Sequence, residues 1–159
     1  MQILNRATDR MTIEVLLVED SPGDVRLTKE AFLEANAGIH MSVAPDGVEA
    51  MAFLNRHGRY SNAPRPDFIL LDLNLPKMDG WEVLARIKSD ASLRTIPTVI
   101  LTTSEAQEDI EKSYQLQANC FLNKPVLFED FDSLVKNINT FWLKEATLPR
   151  QMVYALSSD

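Results

Sequence analysis

The chain has 159 residues, of which 45% are hydrophobic and 25% charged, a balance that fits one globular domain with an ordinary core. A formal net charge of −7 at pH 7 argues against binding nucleic-acid backbones, which demands clustered Lys and Arg, and against an anionic membrane surface. The single cysteine, Cys120, rules out an internal disulfide or a thiolate zinc cage, and its apolar context reads as a buried small hydrophobe.

The first ten residues are polar and mixed in charge, without the pattern of a signal peptide. They read as an N-terminal extension, with Met11 an alternative start. No apolar run is long enough to span a bilayer, so a cytoplasmic location is expected. Ile13 to Val18 is β-branched and apolar and reads as a first strand, ending in Glu19-Asp20. Ser21-Pro22 supplies an N-cap and a proline at the first helical position. Val25, Leu27, Thr28, Ala31, Phe32 and Ala35 form a helical stripe, and Gly38 is its expected stop.

His40 to Ala44 reads as an edge strand. Asp46 caps a helix whose inward side is expected to include Val48, Met51, Ala52 and Leu54. A polar loop, Arg56 to Pro66, leads into the run Phe68-Ile69-Leu70-Leu71, which suits a strand covered on both faces. Asp72 follows where that strand leaves the core, and Pro76 and Gly80 turn the chain toward a helix over Trp81 to Lys88, capped by Asp79. Thr98 to Leu101 is the fourth strand, ending in Thr102-Thr103-Ser104. Glu105 to Gln117 permits a helix, with Ile110 and Tyr114 as its inward residues. Cys120 to Leu122 is the last strand, followed by Asn123-Lys124-Pro125. The final helix carries Leu127, Phe131, Leu134, Val135, Ile138, Phe141 and Trp142 at inward spacing.

Five alternations of strand and helix predict an α/β fold, a doubly wound parallel sheet with helices on both faces. Right-handed crossovers then set every strand's carboxyl end on one edge, where ligands of such sheets bind. Glu19, Asp20, Asp72, Thr102 and Lys124 all stand at such ends. Clustered carboxylates repel unless a cation neutralises them, and an all-oxygen set favours magnesium, with manganese as an alternative, over zinc or copper. Lys124 offers a point charge and Thr102 a hydroxyl, both suited to phosphoryl oxygens. Asp72 is then placed as a carboxylate nucleophile.

With these residues in view, the chain resembles a response-regulator receiver domain of two-component signalling, of the stand-alone chemotaxis type. The resemblance spans about Ile13 to Trp142 and rests on Leu-Val-Glu-Asp-Ser (17–21), Leu-Leu-Asp-Leu-Asn-Leu-Pro-Lys-Met-Asp-Gly (70–80), Leu-Thr-Thr-Ser (101–104) and Asn-Lys-Pro (123–125). It implies a flavodoxin-like (βα)5 fold of strand order 2-1-3-4-5, an order that comes with the family and not from periodicity. It also implies Asp72 as phosphoacceptor, and Glu19 and Asp20 as metal-binding acids with the Asn74 backbone carbonyl. Thr102 becomes the switch hydroxyl, Phe121 the switch aromatic, and Lys124 the phosphoryl-contacting lysine. Two departures stand out: Glu19 replaces the commoner aspartate, which implies a water-mediated metal contact, and Thr103 is bulkier than the usual small residue. The Glu-Asp-Ser-Pro-Gly-Asp opening and the long Phe-Trp-containing ending are similar to response regulators that partner phytochrome-type histidine kinases in cyanobacteria.

The resulting expectation is a domain over residues 11–143 with a tail over 144–159, phosphorylated by a histidine kinase. That tail is too short for a further DNA-binding or enzymatic domain, so output passes through a surface formed by the fourth helix, last strand and last helix. The aromatic load of the last helix, Phe128, Phe131, Phe141 and Trp142, reads either as mostly core or as an exposed self-association face extended by Leu143 to Leu148, and a homodimer is expected. No enzymatic turnover is expected beyond slow self-catalysed phosphotransfer and dephosphorylation. Three rivals share the architecture. An aspartate-nucleophile phosphatase would need a second acid where Asn74 stands. A flavodoxin would need a Ser/Thr/Gly-rich loop where Glu19 and Asp20 stand. A receiver-fold scaffold would need none of the strand-end residues.

Overall fold

The computed structural model describes residues 12–149, so the extension over 1–10, Met11 and the tail beyond Pro149 lie outside it. The five strands are β1 (Ile13–Val18), β2 (Ile39–Ala44), β3 (Phe68–Leu71), β4 (Thr98–Thr102) and β5 (Cys120–Asn123). They pair in parallel in one sheet of order β2-β1-β3-β4-β5. The helices between and after them are α1 (Pro22–Ala35), α2 (Gly47–Leu54), α3 (Gly80–Ser89), α4 (Gln107–Gln115) and α5 (Phe128–Ile138).

The central strand β3 is apolar throughout because both of its faces are covered. Leu16, Val18, Ile69, Leu71 and Ile100 turn to one side and pack with residues of α2 and α3. Val15, Leu17, Phe68, Leu70, Val99 and Leu101 turn to the other and pack with α1 and α5. The successive residues alternate between two cores, as a pleated strand requires. Helix starts follow local chemistry. Ser21, Asp46 and Asp79 each accept a backbone N–H from three residues on, from Asp24, Glu49 and Glu82. Pro22 stands at the start of α1, where its missing N–H costs nothing.

Helix phase departs from expectation at four places. α1 stops at Ala35, not at Gly38: Asn36 is extended, and its side-chain oxygen accepts the Gly38 N–H at 2.9 Å. In α2, Val48 is exposed and Phe53 is buried in its place, braced by the edge of the Tyr60 ring at 5.4 Å. In α4, Tyr114 is exposed and Ser113 buried. Serine fits there because its hydroxyl bonds back to the Asp109 carbonyl at 2.8 Å, leaving no unpaired donor. Leu127 stays exposed ahead of α5, and beyond α5 the chain widens into a π-type turn over Asn139–Glu145. The extra residue per turn shifts the apolar phase, so Leu143 is buried and Phe141 is exposed. Cys120 is half-buried, since β5 is an edge strand, and burial raises its thiol pKa.

Truncating Leu70 to alanine removes a side chain with no exposed surface and is expected to cost about 2–5 kcal/mol. Val48→Ala, on the solvent side of α2, is expected to cost less than about 0.5 kcal/mol. Urea denaturation of both variants checks the phase of α2 directly; a large loss for Val48→Ala would contradict it.

Candidate functional site

Parallel pairing brings the carboxyl ends of β1, β3, β4 and β5 to one edge. The β1–β3 pairing continues one residue past β3, where the Asp72 N–H donates to the Val18 carbonyl at 3.0 Å. That bond seats Asp72 beside Glu19 and Asp20. Carboxylate oxygens of Glu19, Asp20 and Asp72 lie within 4.8 Å of one another, with Glu19 and Asp72 buried and Asp20 exposed. Gly80 permits the next helix to start against this end of β3. A side chain there would meet the Asp72 carbonyl oxygen at 2.4 Å and the Leu73 Cα at 2.5 Å.

Lys124 reaches into the cluster from the end of β5. Its ammonium donates to the Glu19 carboxylate, to Asp24 Oδ2 at 3.0 Å and to Asp72 Oδ2 at 3.2 Å. Asp24 was not among the residues expected at the site. Its only signal in the sequence was an acid in the first turn of a helix, which dipole and capping arguments absorb. The other Asp72 oxygen, Oδ1, accepts the Asn74 N–H at 3.2 Å, which folds the Asn74 turn back onto the site. Glu19 is held at both oxygens, by Lys124 on one and by the Ser21 N–H at 3.1 Å on the other.

Thr102 is fully buried at the end of β4, and its hydroxyl accepts the Ser104 N–H at 3.4 Å. Its carbonyl accepts the Lys124 N–H at 2.7 Å, so the two residues are joined through backbone. Thr103 is exposed at the rim. Phe121 pairs with Ile100 while Asn123 pairs with Thr102, which puts Phe121 and Thr102 diagonally on one face of the sheet. Phe121 is half-buried against the same core as Trp81 and Leu116. Its N–H donates to the Tyr114 hydroxyl at 3.1 Å, a link from α4 to β5 that sequence patterning did not show.

The charges do not balance: four carboxylates face one ammonium. Burial pushes Glu19 up to about 7, with the Asp72 charge adding to the effect and Lys124 opposing it. Burial also works against the Lys124 cation, but its bonds to Glu19 and Asp24 and the Asp72 charge win and raise its pKa. Three converging carboxylates, short of positive charge even with Lys124 beside them, are a hard, all-oxygen donor set that fits Mg2+ or Mn2+.

The model of the response regulator receiver domain matches residues 15–139. The chain belongs to that family. Its receiver domain is similar to Response regulator Rcp1 of Synechocystis sp., 48% identical over 135 residues that cover 85% of this chain and 92% of that protein. A crystal structure of the phosphorylated cyanobacterial phytochrome response regulator RcpA superposes with a TM-score of 0.85 at 48% identity, covering 87% of this chain and 99% of that one. The Mn2+-bound form of Rcp1 superposes with a TM-score of 0.83 at 47% identity, over 87% and 99% of the two chains. The flavodoxin-like fold and the strand order implied by the family are those of this receiver. Among the described residues, no helix is long and apolar enough to cross a membrane.

The Glu19 shift sets a pH dependence for this receiver. Its folded pKa, about 7, lies above the ordinary 4.5, so the folded state holds the extra proton between those values. In chelator, stability is therefore expected to fall as pH rises from 5 to 7.5. Binding of Mg2+, which competes with that proton, is expected to tighten over the same rise. Thermal unfolding and Mg2+ titration at several pH values check both, with Glu19→Gln expected to flatten the two profiles.

Proposed function

We propose that this receiver accepts a phosphoryl group on Asp72 from the phosphohistidine of a partner kinase, in a magnesium-dependent transfer. One observation carries the reading: Asp72, at the end of the central strand β3, converges with Glu19 and Asp20 while one of its oxygens is bonded to Lys124 and the other accepts the Asn74 N–H. Glu19, Asp20, Asp72 and the Asn74 carbonyl would hold the cation. Bound Mg2+ would supply positive charge for the carboxylates and the phosphoryl oxygens. A carboxylate oxygen of Asp72 forms the new bond to phosphorus as the phosphorus–nitrogen bond breaks, and its electron pair stays on the imidazole. Lys124 stabilises the charge on the phosphoryl oxygens.

Once Asp72 is phosphorylated, the Thr102 hydroxyl moves toward a phosphoryl oxygen, and Phe121 turns into the space it leaves. Because the Phe121 N–H is bonded to Tyr114, α4 responds with β5, and the α4-β5-α5 face is biased between two arrangements. The similarity to RcpA and Rcp1 supports a phytochrome-type histidine kinase as the phosphodonor. The protein signals by this change and turns over no substrate beyond slow loss of its own phosphoryl group. A phosphatase is disfavoured because Asn74 stands where that chemistry needs a second acid.

Acetyl phosphate and Mg2+ are expected to label the wild-type chain and leave Asp72→Asn unlabelled, as read by intact-mass measurement. Equal labelling of the variant would remove Asp72 from this role.

The aromatics at the carboxyl-terminal end divide between core and surface. Phe131 is buried and Trp142 half-buried, its ring 5.7 Å from that of Phe68, while Phe128 and Phe141 are exposed. Val126 and Leu127 extend the exposed apolar surface beside Phe128. A homodimer through this surface is expected in sedimentation at micromolar concentration. A monomer both with and without a phosphoryl mimic would exclude it.

A further inference from the structure

The Lys124 ammonium has three N–H donors, and all three are in use, on Glu19, Asp24 and Asp72. A phosphoryl oxygen arriving at Asp72 needs one of them. Glu19 and Asp72 belong to the trio of converging carboxylates, whereas Asp24 does not. The Glu19 and Asp72 side chains are 4% and 8% exposed, but that of Asp24 is 36% exposed. Of the three acceptors, Asp24 gives up its bond at the least cost, because water can replace Lys124 there.

A plainer role for Asp24 is to favour the start of α1. Its N–H does donate to Ser21 Oγ at 3.3 Å, which fixes it in the first turn. A dipole role, however, asks nothing of the carboxylate beyond proximity to its own helix. This one crosses to a residue 100 positions away and is bonded to the lysine that faces Asp72.

We propose that Asp24 is a positioning residue that holds the Lys124 ammonium back from the incoming phosphoryl group, and so limits phosphorylation of Asp72 by small anionic phosphodonors. The proposal rests on Asp72 being the phosphoacceptor. Two effects act together. Asp24 occupies an N–H that the phosphoryl oxygen requires, and its negative charge, on a partly exposed side chain bonded to Lys124, adds to that of the neighbouring acids. In the transfer from acetyl phosphate, an Asp72 oxygen bonds to phosphorus, the bond from phosphorus to the acetyl oxygen breaks, and acetate leaves with the electron pair. The barrier Asp24 raises is electrostatic, so it depends on the donor's charge. Acetyl phosphate is largely a dianion near neutral pH, and phosphoramidate carries about one net negative charge.

The test uses the full chain at saturating Mg2+, comparing wild type, Asp24→Asn and Asp24→Glu with each donor and following labelling by intact mass. Asp24→Asn is expected to be phosphorylated roughly 3- to 10-fold faster by acetyl phosphate, the size of about one unit charge removed at close range. The gain with phosphoramidate is expected to be smaller, and Asp24→Glu is expected to behave as wild type. A second reading needs no phosphorylation. In chelator, the Lys124 side-chain ammonium resonance is expected to shift and exchange faster with water in Asp24→Asn, and to stay in place in Asp24→Glu. Labelled wild type with no acceleration in Asp24→Asn, an equal gain with both donors, or an unmoved Lys124 resonance overturns the role of Asp24 alone. Unlabelled wild type overturns the phosphoacceptor reading beneath it.

Discussion

One ammonium allows this site to exist. The Lys124 side chain lies 7% exposed among carboxylates contributed by the end of β1, the start of α1 and the end of β3. Without it, two buried acids and their neighbours would face each other across a few ångströms of low dielectric, and one would have to keep a proton. Removing one partner from such a buried cluster costs about 3–5 kcal/mol, since the charges left behind stay desolvated. With Lys124 in place, the cluster is held together but still short of positive charge. That shortfall makes the site receptive to a divalent cation, at a place where burial, with the Asp72 charge adding to it, already raises the Glu19 pKa.

The site is rigid because the backbone around it is tightly fitted. Gly80 brings α3 against the Asp72 carbonyl, and Gly47 brings the start of α2 against the next loop. A side chain at Gly47 would lie 2.1 Å from the Met78 carbonyl oxygen. The same loop contains Lys77 at a φ of 68°, a left-handed conformation that costs a lysine about 1 kcal/mol or more. Its ammonium lies 3.5 Å from Asp46 Oδ2, the acid that also caps α2. The turn carrying Asn74 is thus closed at both ends, by Gly80 on β3 and by the Asp46–Gly47 corner. Such support keeps a few strand-end groups in fixed relation while the exposed rim stays free to vary.

Links from the site to the surface are short. Lys124 and Thr102 share a backbone hydrogen bond, and Phe121 is tied by its own N–H to Tyr114 on α4. A displacement at the end of β4 or β5 therefore has a bonded path of few steps to α4. The exposed Phe128 stands at the start of α5, four residues past Lys124.

The strand ends were legible in the chain because the signal is local. An apolar run that stops at a polar residue marks where a strand leaves the core, and parallel alternation then places all such stops on one edge. Glu19, Asp20, Asp72, Thr102 and Lys124 follow from that rule, as do the caps Ser21, Asp46 and Asp79. Asp24, Tyr114, Phe53 and Leu143 do not. Asp24 and Lys124 are joined through space across 100 positions, and a first-turn acid already has a local explanation. Tyr114 reads as core by its ring, yet its hydroxyl serves an edge-strand N–H that only the packed sheet presents. The phases of α2 and of the π-type turn depend on which side chains fill the space above the sheet, a property of the assembled core and not of any single helix.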